Sequence, residues 1–377
     1  MHLKSLSLVN FKNYENLDIP LSEKINCFVG ENGVGKTNVL DAVHYLALCK
    51  SNLNPVDTQN IRYEQEFCVI QGVFHRLDKE ENILCGIQKS KKKQFKRNQK
   101  EYKKLSEHIG LIPLVMVSPF DSLLINGGSD ERRKFINGVV AQYSKVYLEN
   151  MIQYNHALTQ RNRLLKDFAV SRSFNREMLE VWDEQLIRYG EPVFQERKRF
   201  VEEILPVFGA FYEHVSGNRE KVTLTYQSQL EGLDFREGLS ASMEKDRILQ
   251  YTTFGIHKDD LNMKLGEYSL KKSGSQGQQK TFLVALKLAE FEFIRKIMEI
   301  PPILLLDDIF DKFDALRVKH IISLVAQNNF GQIFITDTNA SRLQGILSEL
   351  SKEHRIFEID HDNTVKLLEG QDGKKGD

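Results

Sequence analysis

The sequence predicts an α/β fold of the P-loop class, with a mixed sheet, flanking helices, an antiparallel β subdomain and a helical arm insertion. Three observations support this prediction. A glycine-rich segment, 30–37, lies between an apolar run, Ile25–Val29, and a helical pattern. A second apolar run, Ile303–Leu306, ends in two aspartates. Between these motifs, residues 129–215 carry apolar side chains at helical spacing amid many charges, which is typical of long antiparallel helices.

The glycine-rich segment fits the phosphate-loop pattern G-x-x-x-x-G-K-[ST]. Its glycines let successive backbone N–H groups surround phosphate oxygens, and the following helix directs the positive end of its dipole at them. Lys36 supplies a mobile cation, and the Thr37 hydroxyl can ligate Mg²⁺. A glycine-rich turn without a ligand is the alternative interpretation. The predicted nucleotide-binding residues are Gly30, Glu31, Asn32, Gly33, Val34, Gly35, Lys36, Thr37 and Asn38.

The two aspartates after the second apolar run form the next motif. In a P-loop protein, a carboxylate at this strand end holds the water shell of Mg²⁺, and a neighbouring acid can orient the attacking water. We therefore assign Asp307, together with Thr37, to Mg²⁺ and Asp308 to the water, so that Lys36 and Asp308 are the predicted catalytic residues. Two solvated acids at a strand end are the alternative.

A loop of small residues, 273–280, opens the helical pattern that continues to Ile300. A helix N-terminus lined by serine and glycine is a second anion site. Since the first loop already surrounds the phosphates of one nucleotide, the second site makes most sense facing the γ-phosphate bound by another subunit. Its predicted residues are Ser275, Gln276, Gly277 and Gln278.

The chain has 377 residues and no net charge, with 52 basic and 52 acidic side chains, so any contact with nucleic acid must come from a local patch. The candidate is the run 89–104, which contains nine basic residues and one acid. It is either a solvated hairpin or a contact with the DNA backbone, since clustered lysines bind DNA through counterion release.

Four cysteines are scattered without a C-x-x-C pair, which favours buried thiols in a reducing compartment over a zinc site or disulfides. The first residues lack a continuous apolar segment, and no run of ~18 apolar residues occurs. We therefore expect a cytoplasmic protein.

These motifs in this order resemble those of the ABC-type ATPase heads of SMC-like proteins. Four further segments carry the resemblance: 6–14, 128–133, 255–260 and the signature 275–280. Among such proteins, those of DNA repair are the most similar. The resemblance implies an ATP-dependent DNA-binding protein that dimerises around ATP and Mg²⁺, hydrolyses ATP slowly, and helps place RecA on gapped DNA with RecR and RecO. Asp308 is one methylene shorter than the glutamate of most ABC proteins, consistent with slow turnover.

The resemblance also implies a division of the chain. We expect residues 1–128 and 221–369 to form the ATPase head, 129–220 the helical arm, and 370–377 a disordered tail. Four places depart from the family pattern. Residues 51–54 lack the arginine that the family commonly carries after the first helix, and Phe120 and the dimer loop 311–314 also differ. Asp337 occupies a switch position where many ABC ATPases have histidine. An SMC-like ATPase that acts on DNA as a nuclease partner or tether is the alternative function.

Overall fold

A computed structural model of the chain describes residues 1–217, 221–308, 330–350 and 353–371. The chain divides into two compact units. The first, which we call the sheet unit, consists of Met1–Asp121 and Leu283–Asp377. The second, which we call the helical unit, is Ser122–Phe282.

The sheet unit contains a parallel sheet with one antiparallel edge strand, in the order β15-β14-β3-β13-β12-β8. Strands β3, β12 and β13 are fully buried, as their continuous apolar sequences predict. The strands are β3 (Ile25–Val29), β8 (Leu114–Val117), β12 (Ile303–Leu306), β13 (Ile333–Asp337), β14 (His354–Ile359) and β15 (Val365–Gln371). Because parallel strands end at the same edge, the sheet brings the ends of β3 and β12 to one side.

The same unit contains an antiparallel sheet in the order β2-β1-β4-β5-β6-β7. One buried cluster joins the two sheets through the first helix and includes Leu6, Phe28 and Tyr45. Asn98 and Gln99 both have positive φ, as a tight hairpin turn between β6 and β7 requires. The elements are β1 (His2–Phe11), β2 (Tyr14–Pro20), α1 (Lys36–Leu48), β4 (Phe67–Arg76), β5 (Lys79–Gln88), β6 (Gln94–Arg97) and β7 (Lys100–Glu101).

The helical unit is built from long helices and a three-stranded antiparallel sheet in the order β11-β10-β9. Its elements are α2 (Ser122–Asn126), α3 (Ser129–Tyr143), α4 (Lys145–Ser171), α5 (Arg176–Ser216), β9 (Val222–Gln227), α6 (Phe235–Leu249), β10 (Asp260–Leu265), β11 (Tyr268–Ser269) and α7 (Leu270–Ser273). The chain passes into the sheet unit within α8 (Gln276–Met298), and α9 (Ala340–Leu350) follows β13.

Buried ion pairs explain why the helical unit extends past the boundary that we expected at residue 220. Arg197 on α5 donates to Asp259 at 2.7 Å and to the carbonyl of Ile256 at 2.8 Å. Arg161 on α4 donates to Asp246 at 2.6 Å. Residues 221–282, expected to form part of the head, therefore pack with the arm.

Most other sequence expectations agree with the observed elements, but some do not. Strands β14 and β15 were not predicted, and β15 takes in the first two residues of the predicted tail. Residues 129–131, Ser-Asp-Glu, predict a capped helix start, but α3 begins at Ser129 itself and its N-cap is Gly128, with no side-chain cap. The predicted dimer loop 311–314, a predicted helix at 315–326 and the rest of the tail lie outside the described residues.

All four cysteines are buried. No helix among the described residues is long and apolar enough to cross a membrane.

Candidate nucleotide-binding site

The phosphate loop lies between β3 and α1 and depends on backbone conformations that glycine adopts most readily. Gly30, Gly33 and Gly35 have φ values of 150°, 90° and 105°. A β carbon on Gly35 would lie 2.1 Å from Nδ2 of Asn13, and one on Gly30 would lie 2.5 Å from the carbonyl oxygen of Ile359. At these two positions, close neighbours exclude any larger residue.

Lys36 begins α1 and is largely buried. Its ammonium group donates to the carbonyl oxygens of Gly30 at 2.8 Å and Glu31 at 2.7 Å. The N-cap, Gly35, makes no side-chain capping bond, so the first N–H groups of α1 are not capped by that residue. The arrangement places a cation and a helix N-terminus at one loop, as phosphate binding requires.

The phosphate loop and the second motif meet directly. The Thr37 hydroxyl donates to Oδ1 of Asp307 at 2.9 Å, and the Thr336 hydroxyl donates to the same oxygen at 2.8 Å. Mg²⁺ prefers oxygen ligands and keeps several of its waters, so a hydroxyl could bind it directly and a neighbouring carboxylate could hold its water shell. The Thr37 and Asp307 oxygens therefore fit the predicted Mg²⁺. Mg²⁺ needs only one or two carboxylates, and no cluster of three or more metal-binding side chains occurs among the described residues.

Asp308 follows Asp307 with a left-handed backbone, φ 50°, and its N–H donates to Thr336 Oγ1 at 2.8 Å. The buried Asp337, at the predicted switch position, accepts from Arg342 at 2.6 Å and from the N–H of Thr338 at 2.6 Å. These contacts tie Asp337 to the start of α9, a role that its sequence position did not indicate.

The signature loop lies in the helical unit and has a defined cap. The carbonyl of Ser275 accepts the N–H of Gln279 at 2.9 Å, which makes Ser275 the N-cap of α8. Its hydroxyl accepts the N–H of Gln278 at 3.3 Å, and Gln278 Oε1 accepts the N–H of Ser275 at 2.7 Å. This reciprocal pair is a capping box. It leaves Ser275 exposed at the helix end.

Sequence reasoning missed two asparagines beside the phosphate loop, one that contacts the loop and one that contacts the first. Asn13 donates to the carbonyl of Val34 at 3.0 Å and accepts from Asn38 at 2.7 Å. It also donates to Asn363. Asn13 could have been found because it lies in segment 6–14, one of the stretches that carry the family resemblance. Asn363 lies in the turn between two unpredicted strands, and nothing in its sequence marked it.

The basic run 89–104 contains side chains of two kinds. Lys93 is nearly buried, contacts Asp57 at 3.0 Å and donates to the carbonyl of Cys49 at 2.7 Å. Lys89 pairs with Glu66 and Arg97 with Glu81. The other six make no ion pair within the described part of the chain: Lys91, Lys92, Lys96, Lys100, Lys103 and Lys104. Phe95 is buried against His108 and cannot stack on a base.

The fold and the phosphate-loop geometry define an ABC-type ATPase head of the SMC-like class. Residues 2–358 match the family described as RecF/RecN/SMC N terminal domain. The chain is 53% identical over 362 residues to the DNA replication and repair protein RecF of Bacteroides thetaiotaomicron, covering 96% of this chain and 97% of the relative. It is 47% identical over 359 residues to RecF of Flavobacterium johnsoniae, covering 95% and 100%. The chain therefore belongs to the RecF family.

Solved structures agree. A structure of the recombination mediator protein RecF with ATP, from the RecFOR pathway, has a TM-score of 0.88 and 28% identity over 98% of both chains. An Smc head bound to the C-winged helix domain of ScpA has a TM-score of 0.59 at 14% identity, covering 100% of this chain and 99% of the other. The second similarity concerns the fold alone.

Proposed function

We propose that this protein binds ATP and Mg²⁺ at the phosphate loop, hydrolyses ATP slowly, and uses it to control dimerisation and DNA binding in recombinational repair and replication restart. The observation that carries the proposal is the 2.9 Å contact between Thr37 and Asp307, which joins the two nucleotide motifs. The ATP-bound RecF structure, whose fold this chain shares, supports the choice of nucleotide.

Each residue then has a role set by its position. Lys36 exchanges its two carbonyl partners for the β- and γ-phosphate oxygens, and the N–H groups of the loop and α1 bind the remaining oxygens. Thr37 and Asp307 hold Mg²⁺, which neutralises phosphate charge when bound. Asp308 polarises the attacking water. Its short side chain keeps the carboxylate further from the phosphate than a glutamate would, which favours slow turnover.

The test is ATP affinity, measured with a fluorescent ATP analogue and by equilibrium dialysis. Lys36→Ala removes charged hydrogen bonds worth about 1.5–3 kcal/mol, so we expect about 10- to 150-fold weaker binding. Lys79→Ala, at an exposed lysine of the same unit, should bind normally. Asp308→Asn should bind ATP normally but release phosphate more slowly. Wild-type affinity in the Lys36 variant would refute the proposed site.

We propose further that Ser275 and Gly277 complete the nucleotide site of a second copy. The exposed, capped start of α8 supports this, since its first turn has no acidic residue and suits an anion. Light scattering with ATP tests it. Ser275→Arg should remain monomeric with ATP, whereas Ser240→Arg, at an exposed position on α6, should dimerise like the wild type. Equal dimerisation of both variants would contradict the composite site.

For DNA, we propose a surface formed by the unpaired lysines of the run 89–104 beside a groove of about 390 Å³. The groove is lined by Lys91 and Lys92 together with Phe67, Val69 and Gly86. Phe67 is 45% exposed, so an aromatic face lies next to two cations. Lysines bind the phosphate backbone, and an exposed aromatic ring stacks on unpaired bases. A single-stranded segment of gapped DNA fits this surface.

A salt titration of DNA binding, followed by fluorescence anisotropy, separates the two kinds of lysine. Each phosphate contact contributes about 0.7 to the slope of log K against log salt on single-stranded DNA. Lys91→Ala with Lys92→Ala should therefore flatten the slope by about 1.4 on that substrate. Lys93→Ala should leave it unchanged, because that cation is held by Asp57. If the Lys91 and Lys92 variants keep the wild-type slope, the run is a solvated hairpin.

The proposed role in DNA repair is supported by the relatives of this chain. Those cited are DNA replication and repair proteins, and the ATP-bound structure is a recombination mediator of the RecFOR pathway. We propose that this chain, with RecR and RecO, helps load RecA on gapped DNA. RecA assembly on a gapped substrate should accelerate when this protein, RecO and RecR are all present, and Lys36→Ala should abolish the increase. No acceleration would favour another DNA-acting SMC-like function, such as a nuclease partner or tether.

A further inference from the structure

Two turns from distant parts of the chain meet at the phosphate loop. The first joins β1 to β2 and carries Asn13. The second joins β14 to β15 and carries Asn363. Since β14 runs parallel to β3, its C-terminal end lies at the edge where the phosphate loop begins. The turn after β14 is therefore brought beside that loop by the order of the strands.

Asn13 joins positions 34 and 38, on either side of Gly35, Lys36 and Thr37, through a single amide. Its Nδ2 donates to the carbonyl of Val34 at 3.0 Å, just before Gly35. Its Oδ1 accepts from the side chain of Asn38 at 2.7 Å, just after Thr37. The amide also packs on Gly35 so closely that a β carbon would not fit. The three residues that bind phosphate and Mg²⁺ lie between these two anchored positions.

Asn363 holds Asn13 from the other side, because its Oδ1 accepts a hydrogen bond from Asn13 Nδ2. Asn363 has φ 63°, and its N–H donates to the carbonyl of Asp360 at 2.9 Å. The left-handed conformation is one that asparagine, aspartate and glycine tolerate. The same hairpin touches the loop again where the carbonyl of Ile359 faces Gly30.

A third contact joins the hairpin to the loop, since His361 lies 3.3 Å from Glu31. Both side chains are exposed, so this contact contributes little. The asparagine pair is the partly buried one and carries the connection.

We propose that Asn13 is a positioning residue for the phosphate loop and that Asn363 couples the β14–β15 hairpin to it, so that the hairpin sets the affinity for ATP. The inference rests on the proposed function, since it requires ATP to bind at this loop. Neither asparagine needs to touch the nucleotide. They act by fixing the backbone on both sides of Lys36 and Thr37, which lowers the cost of ordering the loop when phosphate binds.

The chain offers matched substitutions at position 363. Asn363→Asp keeps an oxygen acceptor and tolerates the left-handed backbone. Asn363→Gly tolerates the same backbone but removes the acceptor. Asn13→Ala removes the amide itself. Losing a hydrogen bond of ordinary strength corresponds to about a two- to tenfold change in affinity.

The experiment measures the Kd for ATP and the turnover number of each variant, with the thermal midpoint without nucleotide as the check on folding. We expect Asn13→Ala and Asn363→Gly to weaken ATP binding about three- to tenfold, with Asn363→Asp close to the wild type. The Kd of the double variant Asn13→Ala, Asn363→Gly should rise by less than the product of the two single fold-changes. Both single changes remove the same contact between Asn13 and Asn363, so its loss counts only once.

Two results separate this inference from the proposed function. If Lys36→Ala loses ATP while Asn363→Gly binds like the wild type, the coupling is wrong and the nucleotide site stands. If Lys36→Ala also binds normally, the site itself is wrong. Equal losses in Asn363→Gly and Asn363→Asp, or strictly multiplicative effects in the double variant, would likewise overturn the proposed coupling.

Discussion

The helical unit and the phosphate-loop region of the sheet unit bind their buried carboxylates differently. In the helical unit, Asp259 is bound by the guanidinium of Arg197, and Asp183 and Asp246 by that of Arg161. In the phosphate-loop region, hydroxyl groups of two threonines donate to Asp307. Asp41 accepts from Lys12, but also from the Ser51 hydroxyl and the N–H of Asn52, each at 2.6 Å.

The difference follows from what each region has to do. A guanidinium neutralises its carboxylate and still has donors for other groups around it, so the pair fixes the packing of distant segments. A hydroxyl donor carries no charge and can itself become a metal ligand. The helical unit thus uses buried charge for architecture, whereas the phosphate-loop region keeps a donor set that a cation can share.

The largest effect that tests this comparison is the removal of Arg197. Its guanidinium also donates to the carbonyl of Ile256, so Arg197→Ala leaves buried acceptors without their donor. We expect a loss of about 3–5 kcal/mol in the free energy of unfolding, measured by urea denaturation. The matched control, Arg199→Ala, breaks a pair with Glu196 in which the arginine is 56% exposed and should cost about 1 kcal/mol or less. Similar costs for both would show that the buried pair has no special structural role.

The next effect concerns pH and compares one histidine from each unit. His257 in the helical unit and His108 in the sheet unit each have Nε2 against a backbone carbonyl and Nδ1 against a tyrosine hydroxyl. Carbonyls only accept, so the neutral ring with a proton on Nε2 fits both sites. Burial lowers the pKa of each from 6.5 to about 4.

The unfolded chain binds the proton more readily than the folded one. The stabilising contribution of each neutral histidine to the free energy of unfolding is therefore fully present above pH 6.5 and decreases as the pH drops towards 4. Each histidine should account for a loss of about 3 kcal/mol over that range. Urea denaturation at pH 7.0, 5.5 and 4.5 measures it. His257→Gln and His108→Gln should each reduce the pH dependence, and an unchanged slope in either variant would mean that its ring is not the titrating group.

The smallest expected loss of stability concerns Asp41 near the phosphate loop. Lys12→Met removes the cation from Asp41 but leaves the Ser51 hydroxyl and the Asn52 N–H in place. Lys12 is buried, and that burial lowers its pKa. The cost of removing the ammonium group from water therefore offsets part of its attraction to Asp41. We expect a loss of about 1.5 kcal/mol by urea denaturation, smaller than that for Arg197→Ala. A loss as large as that of Arg197→Ala would remove the distinction between the helical unit and the phosphate-loop region.

Much of the fold could be predicted because its signals are local. The glycines and Lys36 of the phosphate loop and the apolar run of β12 with its two aspartates depend on nearby residues. The long helices were predicted from periodicity. The paired strands β4 and β5 alternate as a half-buried sheet does.

The basic run shows where local signals fail. Composition treated its lysines as equivalent, but Lys93 packs over the ring of Tyr45, with its ammonium 4.9 Å from the ring centroid. Lys93 points inwards because it meets Tyr45 and Cys49 at the end of α1 and Asp57 in the segment before β4, and composition does not determine those contacts.

The residue types of the phosphate loop and of the acids after β12 can be recognised from the amino-acid sequence alone, because a short motif specifies its own backbone shape. Which of these groups meet depends on how the distant segments pack. Thr37 and Asp307 are 270 positions apart, and Asn13 and Asn363 are 350 apart. Their contacts exist because β12 and β14 take particular places around β3 and β13. Strand order is set by the burial of whole faces, so no local pattern encodes it.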